Sequence, residues 1–126
     1  REAQEEERDR VYFEPAVRLA KLDGLSTLGQ FVYYDAIIYH GPDTDENGFY
    51  GLRERAMRQA QTPAAGGSES AFLDAFLDVR REALRHSRDG DTSRVDTAQR
   101  RFLEAGNTEL ATPLEWQVYG DTYTVP

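Results

Sequence analysis

The chain has 126 residues, enough for one domain with a single core, and its 39% hydrophobic and 30% charged residues are typical of a globular protein. No apolar run approaches the length needed to cross a membrane, and a net charge of −8 argues against a nucleic-acid partner and favours a neutral or cationic one. Without cysteine, the chain has no disulfide, no thiolate nucleophile and no thiolate metal site.

The first predicted helix runs from the start of the chain to about Leu22. Pro15 should bend or interrupt it, because proline lacks the amide that the preceding turn would bond. The helix opens on the charged stretch REAQEEERDRVYF, with no Ser, Thr, Asp or Asn ahead of it to act as a cap. We therefore expect this chain to be the continuation of a longer protein.

Further helices are predicted along the rest of the chain, separated by breaks that contain glycine or proline. They span approximately residues 26–40, 52–61, 68–87 and 94–106. The last segment, PLEWQVYGDTYTV, has apolar and aromatic residues near alternate positions around Gly120-Asp121, which predicts an extended tail or a short hairpin. The expected architecture is mainly α-helical with a short irregular C-terminal tail.

An aspartate, Asp35, interrupts the apolar run YYDAIIYH of the second helix. An ionised carboxylate on an apolar face is costly unless it is paired, so we expect a cation on another apolar face. At helical spacing Asp35 shares a face with five apolar residues: Leu28, Phe31, Val32, Ile38 and Tyr39.

Two arginines are the candidate partners of Asp35. Arg80 lies four residues from both Phe76 and Leu84, and Arg94 lies beside the apolar positions of the next helix. The planar fork of arginine can hold a carboxylate while remaining charged. The pattern fits either a structural ion pair that ties three helices together or a network that orients a catalytic carboxylate, and it does not identify that carboxylate.

Six strings, in order, resemble the C-terminal half of the family 46 glycoside hydrolases, the bacterial chitosanases. They cover nearly all of residues 5–125 and read ERDRVYFEPAV, GQFVYYDAI, HGP, TPAAGG, DTSRVDTAQRRFLEAGN and YGDTY. The resemblance implies a mainly α, lysozyme-like two-lobed fold of which this chain is the C-terminal portion. Its parts would be a bent inter-lobe helix near residues 1–22, a helical lobe over 26–105 and an extended tail over 106–126.

The resemblance also implies a secreted, extracellular, endo-acting enzyme that hydrolyses internal β-1,4 bonds of chitosan with inversion. Inversion needs one carboxylic acid to protonate the leaving oxygen and a separate carboxylate to activate water. In the family the acid is a glutamate and the base an aspartate, both in the N-terminal half, which is absent from this sequence. We therefore expect this chain alone to be inactive. Its expected partners are that N-terminal half and chitosan or glucosamine oligosaccharides, without cofactor, nucleic acid or membrane.

The resemblance assigns roles to two groups of residues. Asp35, Arg80 and Arg94 match a charge network whose last arginine contacts the catalytic glutamate in the family. Three other residues match cleft-facing positions and are expected to bind the sugar: Tyr12, His40 and Pro42. Core packing for Tyr12 and a simple helix-end position for His40 are the alternatives.

Several acidic and aromatic side chains allow two interpretations each. Asp89 and Asp91 could attract amino sugars or belong to a solvated turn. Trp116 and Tyr119 could stack on a sugar, although aromatic residues in a terminal segment more often anchor it to the core.

One loop matches a different class of protein. A helical calcium-binding or interaction module is the alternative that it supports. Against it, Gly41-Pro42 ends the preceding helix before the loop, and no second loop is present to pair with it. The residues at EF-hand spacing within 43–54 are Asp43, Asp45, Asn47, Gly48 and Glu54. The other interpretation is a polar turn that caps the following helix.

Overall fold

In the computed structural model the protein is described over residues 14–126, which form five α-helices and one two-stranded antiparallel sheet. The helices are α1 (Glu14–Leu22), α2 (Thr27–His40), α3 (Phe49–Gln59), α4 (Glu69–Arg85) and α5 (Arg100–Glu104). A 3₁₀ turn (Pro63–Ala65) precedes α4, and a π-helical turn (Val95–Gln99) runs directly into α5. The strands are β1 (Leu114–Val118) and β2 (Asp121–Val125). The predicted mainly helical architecture is confirmed.

The helix ends follow the local signals in the sequence, with one difference. Ser68 caps α4, since its Oγ accepts a hydrogen bond from the amide of Ala71 at 3.2 Å. Ser26 precedes α2 as predicted, but its side chain does not cap that helix. Its amide and Oγ instead donate to Glu69 Oε2 at 2.6 and 2.7 Å. This bridge ties the start of α2 to the start of α4.

Aromatic rings from three helices form the centre of the core. Tyr33 of α2 lies edge-on to Phe49 of α3, with 5.0 Å between ring centroids, and 5.4 Å from Phe76 of α4. All three are fully buried. The prediction that Phe31 and Ile38 also face the core is wrong, because each is 39% exposed. Helix α2 is apolar on nearly every side, so its spacing alone does not select one face.

A buried ion pair fixes the loop between α1 and α2 to α3. Arg53 donates from Nε and Nη2 to the two oxygens of Asp23 at 2.8 and 2.7 Å. The Tyr33 hydroxyl donates to Asp23 Oδ2 at 2.5 Å. Asp23 is only 5% exposed, so these three bonds satisfy a carboxylate that would otherwise be costly to bury.

The C-terminal segment is a hairpin rather than an irregular tail. Leu114 pairs with Val125 and Val118 with Asp121, which leaves Tyr119 and Gly120 as a two-residue turn. The hairpin is attached to the helices through β1, where Trp116 packs edge-on against Phe102 of α5 at 5.9 Å.

The expected bend of the first helix and the predicted sugar contact of Tyr12 depend on a stretch that lies outside the described residues. The two-lobed arrangement, likewise, stays a prediction.

Candidate active-site support network

The structure brings Asp35, Arg80 and Arg94 together as the sequence predicted. Arg94 Nη1 donates to Asp35 Oδ1 at 2.7 Å, and Arg80 Nη1 lies 2.8 Å from Asp35 Oδ2. Each carboxylate oxygen therefore faces its own guanidinium. The three side chains come from α2, α4 and the residue just before the π-helical turn, so the carboxylate joins three parts of the fold. With Asp35 17% exposed, the group lies at the edge of the core and not in its middle.

Arg80 is the deepest member of the network, with a side chain that is 0% exposed. Besides Asp35 it contacts Gln99, since its Nη1 also donates to Gln99 Oε1 at 2.8 Å. Its Nε donates to His40 Nε2 at 3.1 Å. Burial lowers the pKa of Arg80, while the charge and hydrogen bond of Asp35 act in the opposite direction.

Gln99 is a fourth member that the sequence reasoning missed. Its Nε2 donates to Asp35 Oδ2 at 3.0 Å while its Oε1 accepts from Arg80, and the residue is only 1% exposed. The π-helical turn places it there: the amide of Arg100 bonds to Val95 O, five residues back. At the regular α-helical angle of about 100° per residue, Gln99 and Arg94 would point about 140° apart. No helical periodicity could have grouped them.

Arg94 lies between two aromatic rings. The guanidinium carbon is 5.1 Å from the centroid of Tyr39 and 5.9 Å from that of Tyr119, both within cation–π range. Burial works to lower the pKa of Arg94, but Asp35 and the two tyrosines outweigh it and the pKa is raised. Arg94 therefore keeps its charge, and at 30% exposure it is the network member nearest the surface.

His40 is placed against Arg80 and is held neutral. The nitrogen that accepts the Arg80 hydrogen bond carries no proton, so the ring proton lies on Nδ1. Burial, followed by the charge of Arg80, lowers the pKa of His40 to about 3, although Asp35 works in the opposite direction. The sequence predicted His40 as a sugar contact, and the structure adds that its Nε2 is already occupied.

The network as a whole is cationic and has donors to spare. Two guanidiniums face one carboxylate and a neutral imidazole, which leaves a net charge of about +1. Arg80 Nη2 and Arg94 Nε are buried without a hydrogen-bond partner among the described residues. Buried donors of this kind are normally paired, so the arrangement suits one more acceptor. A second carboxylate beside Arg94 is the group that fits this charge.

The other predicted site residues are not gathered around the network. Pro42 is exposed in the loop after α2. Asp91 Oδ1 accepts from the amide and the hydroxyl of Ser93 at 2.7 and 2.5 Å, and Asp89 accepts from the amide of Asp91 at 3.0 Å. These two aspartates stabilise their own turn, as the plainer interpretation had it. Trp116 stacks on Tyr123 at 5.8 Å and so anchors the hairpin.

The EF-hand-like loop folds as a polar turn before α3. Asp45 Oδ1 accepts from the amides of Asn47 and Gly48, each at 2.9 Å, which engages this oxygen in holding the loop. Over residues 14–126 no group of three or more His, Asp or Glu side chains is positioned to hold a metal ion. The side chains of Asp43, Asp45, Asn47 and Glu54 thus do not converge into a metal centre. In the same part of the chain, no helix combines the length and apolarity that crossing a membrane requires.

Comparison with known proteins agrees with the charge network and the helical fold. The family model for Glycosyl hydrolase family 46 matches residues 1–114. This chain belongs to glycoside hydrolase family 46. A chitosanase from Streptomyces sp. strain N174 is 58% identical over 125 residues, which make up 98% of this chain and 45% of that protein. A chitosanase from Nocardioides sp. strain N106 is 51% identical over the same shares.

Solved structures of the family share the fold of this chain. A chitosanase co-crystallised with substrate superposes with a TM-score of 0.94 at 51% identity, covering 98% of this chain and 53% of that one. A family 46 chitosanase from Gynuella sunshinyii in complex with chitotetraose gives a TM-score of 0.90 at 32% identity, covering 100% of this chain and 56% of that one. This family 46 chain thus spans about half the length of the relatives it matches.

Proposed function

We propose that this chain is the C-terminal portion of an endo-acting, inverting chitosanase, in which it supports the catalytic acid and contributes to the sugar-binding cleft. The observation that carries the proposal is the cationic cluster of Asp35, Arg80 and Arg94, which has buried donors left over for another acceptor. A glutamate general acid and an aspartate general base would come from the N-terminal portion that the relatives have in addition.

The charge of the cluster suits a general acid that cycles between two protonation states. When the acid gives its proton to the leaving oxygen it becomes a carboxylate, and a fixed guanidinium beside it stabilises that charge. Arg94 is held by Asp35 on one side and by two rings on its faces, so it would meet the acid in one orientation. Arg80, in turn, keeps Asp35 ionised and in place, because it is fully buried against it.

The substrate is proposed to be chitosan or its glucosamine oligosaccharides, whose amino groups are positively charged at mildly acidic pH. The overall charge of −8 attracts such a polymer. A neutral His40 adds no repulsion to an ammonium group, and Pro42 lies exposed directly beyond it in the chain. His40 and Pro42, together with Tyr12, remain proposed sugar contacts.

We also propose that the protein acts outside the cell, since chitosan is a polymer too large to be taken up before it is cut. The fraction of enzyme recovered from the medium of the producing organism would test this location.

The deciding experiment replaces Arg94 in the complete enzyme. Arg94→Ala should lower kcat by about 10- to 100-fold, within the range that general acid catalysis contributes, with a smaller change in KM. The assay is reducing-sugar release from soluble chitosan. Arg81→Ala is the matched control, because Arg81 is an exposed arginine of α4 whose partner is Asp96. An Arg94→Ala enzyme with unchanged kcat would remove the mechanistic role.

A second arm tests where the catalytic pair lies. This chain should release no sugar by itself and should become active only when combined with the N-terminal portion, whether calcium or a chelator is added. Activity of the chain alone would place an acid and a base within these 126 residues and contradict the proposal. Activity that a chelator abolishes would favour the calcium-binding alternative for the loop at 43–54.

A further inference from the structure

The turn of the C-terminal hairpin has an unusual residue. Tyr119 and Gly120 form its two-residue connection with φ of 54° and 82°, the two positive values that a type I′ turn requires. Asn-Gly is the sequence that such turns favour, because asparagine tolerates a left-handed backbone. A tyrosine in this conformation is strained, and strained positions gather where a side chain has a task.

The task is suggested by what the tyrosine ring covers. Tyr119 is 49% exposed, so burial of its ring does not explain its place in the turn. One contact does stand out: the guanidinium of Arg94 lies 5.9 Å from the ring centroid. With Tyr39 at 5.1 Å, Arg94 is sandwiched between two aromatic rings.

The turn is also fastened to the helical segment that carries Arg94. The amide of Tyr119 donates to Ser93 Oγ at 2.8 Å, and Thr97 Oγ1 donates to the carbonyl of Gln117 at 2.6 Å. Ser93 and Thr97 flank Arg94 in the sequence, so the hairpin is anchored on both sides of the arginine. The hairpin therefore moves together with Arg94.

We propose that Tyr119 is a positioning residue for the catalytic acid and acts through Arg94. The turn keeps an unfavourable tyrosine because its ring, opposite Tyr39, fixes the plane of the Arg94 guanidinium and hence the direction of its free donors. This inference rests on the proposed role of Arg94.

The test uses substitutions that separate stability from turnover in the complete enzyme. Tyr119→Asn introduces the preferred turn residue, so the unfolding midpoint should be unchanged or higher while kcat falls about 2- to 5-fold, the equivalent of one exposed cation–π contact. KM should change little. Tyr119→Phe keeps the ring over Arg94 and should retain most of kcat.

Tyr123→Asn is the matched control. Tyr123 is 46% exposed on β2, but its ring stacks on Trp116 and lies away from Arg94. Its loss should lower the unfolding midpoint and leave kcat of the folded enzyme unchanged. This is the opposite of the result expected at the turn.

Three results would overturn the inference. An unchanged kcat in Tyr119→Asn would show that the ring does not act on the chemistry. A raised KM with constant kcat would make Tyr119 a sugar-stacking surface instead. A midpoint lowered as in Tyr123→Asn would make it a structural residue.

A double-mutant cycle with Arg94→Lys separates this inference from the proposed function. Tyr119→Asn should have little further effect on kcat when Arg94 is already replaced. If Arg94→Lys is damaging but the two effects simply add, only the Tyr119 inference fails. If Arg94→Lys itself has normal kcat, the proposed function of Arg94 fails.

Discussion

Asp35→Asn would show how strongly the fold depends on the central carboxylate. Asparagine has nearly the same shape and its one carbonyl oxygen can still accept a bond from one arginine. The charge is lost, however, and the amide group would face the other guanidinium. Arg80 would then be a fully buried cation with no anionic partner in the described part of the chain. Its remaining contacts, Gln99 and His40, are both neutral acceptors.

The expected cost follows from burial. Removing one partner of a buried ion pair costs about 3–5 kcal/mol, mostly because the other charge stays desolvated. Asp35 itself is 17% exposed and Arg94 is 30% exposed, so solvent screens part of the network. We therefore expect a loss near the lower end, about 3 kcal/mol. With a slope of about 2 kcal/mol per molar urea, the unfolding midpoint would fall by about 1.5 M.

The assay is equilibrium urea unfolding of the complete protein, followed by tryptophan fluorescence and by circular dichroism. Asp74→Asn is the control, because Asp74 pairs with Arg100 on the surface and is 58% exposed. Exposed pairs contribute little, so its midpoint should stay near that of the unmodified protein. If Asp35→Asn were no more destabilising than Asp74→Asn, the claim that the network is buried and cooperative would be refuted.

Two other buried groups give testable stability effects. His40 has its pKa lowered from 6.5 to about 3, so between these values the unfolded chain binds a proton that the folded chain does not. Stability should therefore fall as pH decreases from about 6.5 towards 3. His40→Gln, which can still accept from Arg80, should flatten that profile, and a His40 imidazole that titrates near pH 6 by NMR would contradict it. Tyr33→Phe removes the hydroxyl that donates to buried Asp23 at 2.5 Å and should cost about 2 kcal/mol in urea unfolding, whereas Tyr123→Phe, at an exposed ring, should cost almost nothing.

The helices could be predicted because their ends carry local chemical signals. Ser68 before α4 and Gly41 after α2 act within a few residues of chain, and the structure has helix boundaries beside both. The face of α2 was harder, because an apolar helix offers no polar side to define the other. Phe31 and Ile38 were placed in the core for that reason, and their exposure shows that packing against α3 and α4 selects the face.

The charge network could be predicted in part for a related reason. Asp35 and Arg80 stood out as charges on apolar faces, and an anomaly of that kind is visible in sequence alone. Gln99 was not an anomaly: it is neutral, and regular helical spacing separates it from Arg94. Its position depends on a π-helical turn that no local pattern announced. The pairing of His40 with Arg80 depends on tertiary packing and was hidden for the same reason.

The π-helical turn also determines where this family 46 chain can change in length. The turn holds a residue more than regular α-helical winding would, and Gln99 at its end is buried against Asp35. Deleting one residue from Val95–Gln99 would restore regular winding and rotate everything after it by about 100°. Phe102 would leave the core, and the hairpin packed on it would be displaced. The exposed loop after α4 has no such constraint, since a longer loop adds only a small closure entropy. We therefore expect insertions and deletions among relatives to accumulate before Ser93 and to be absent from the five residues that follow Arg94.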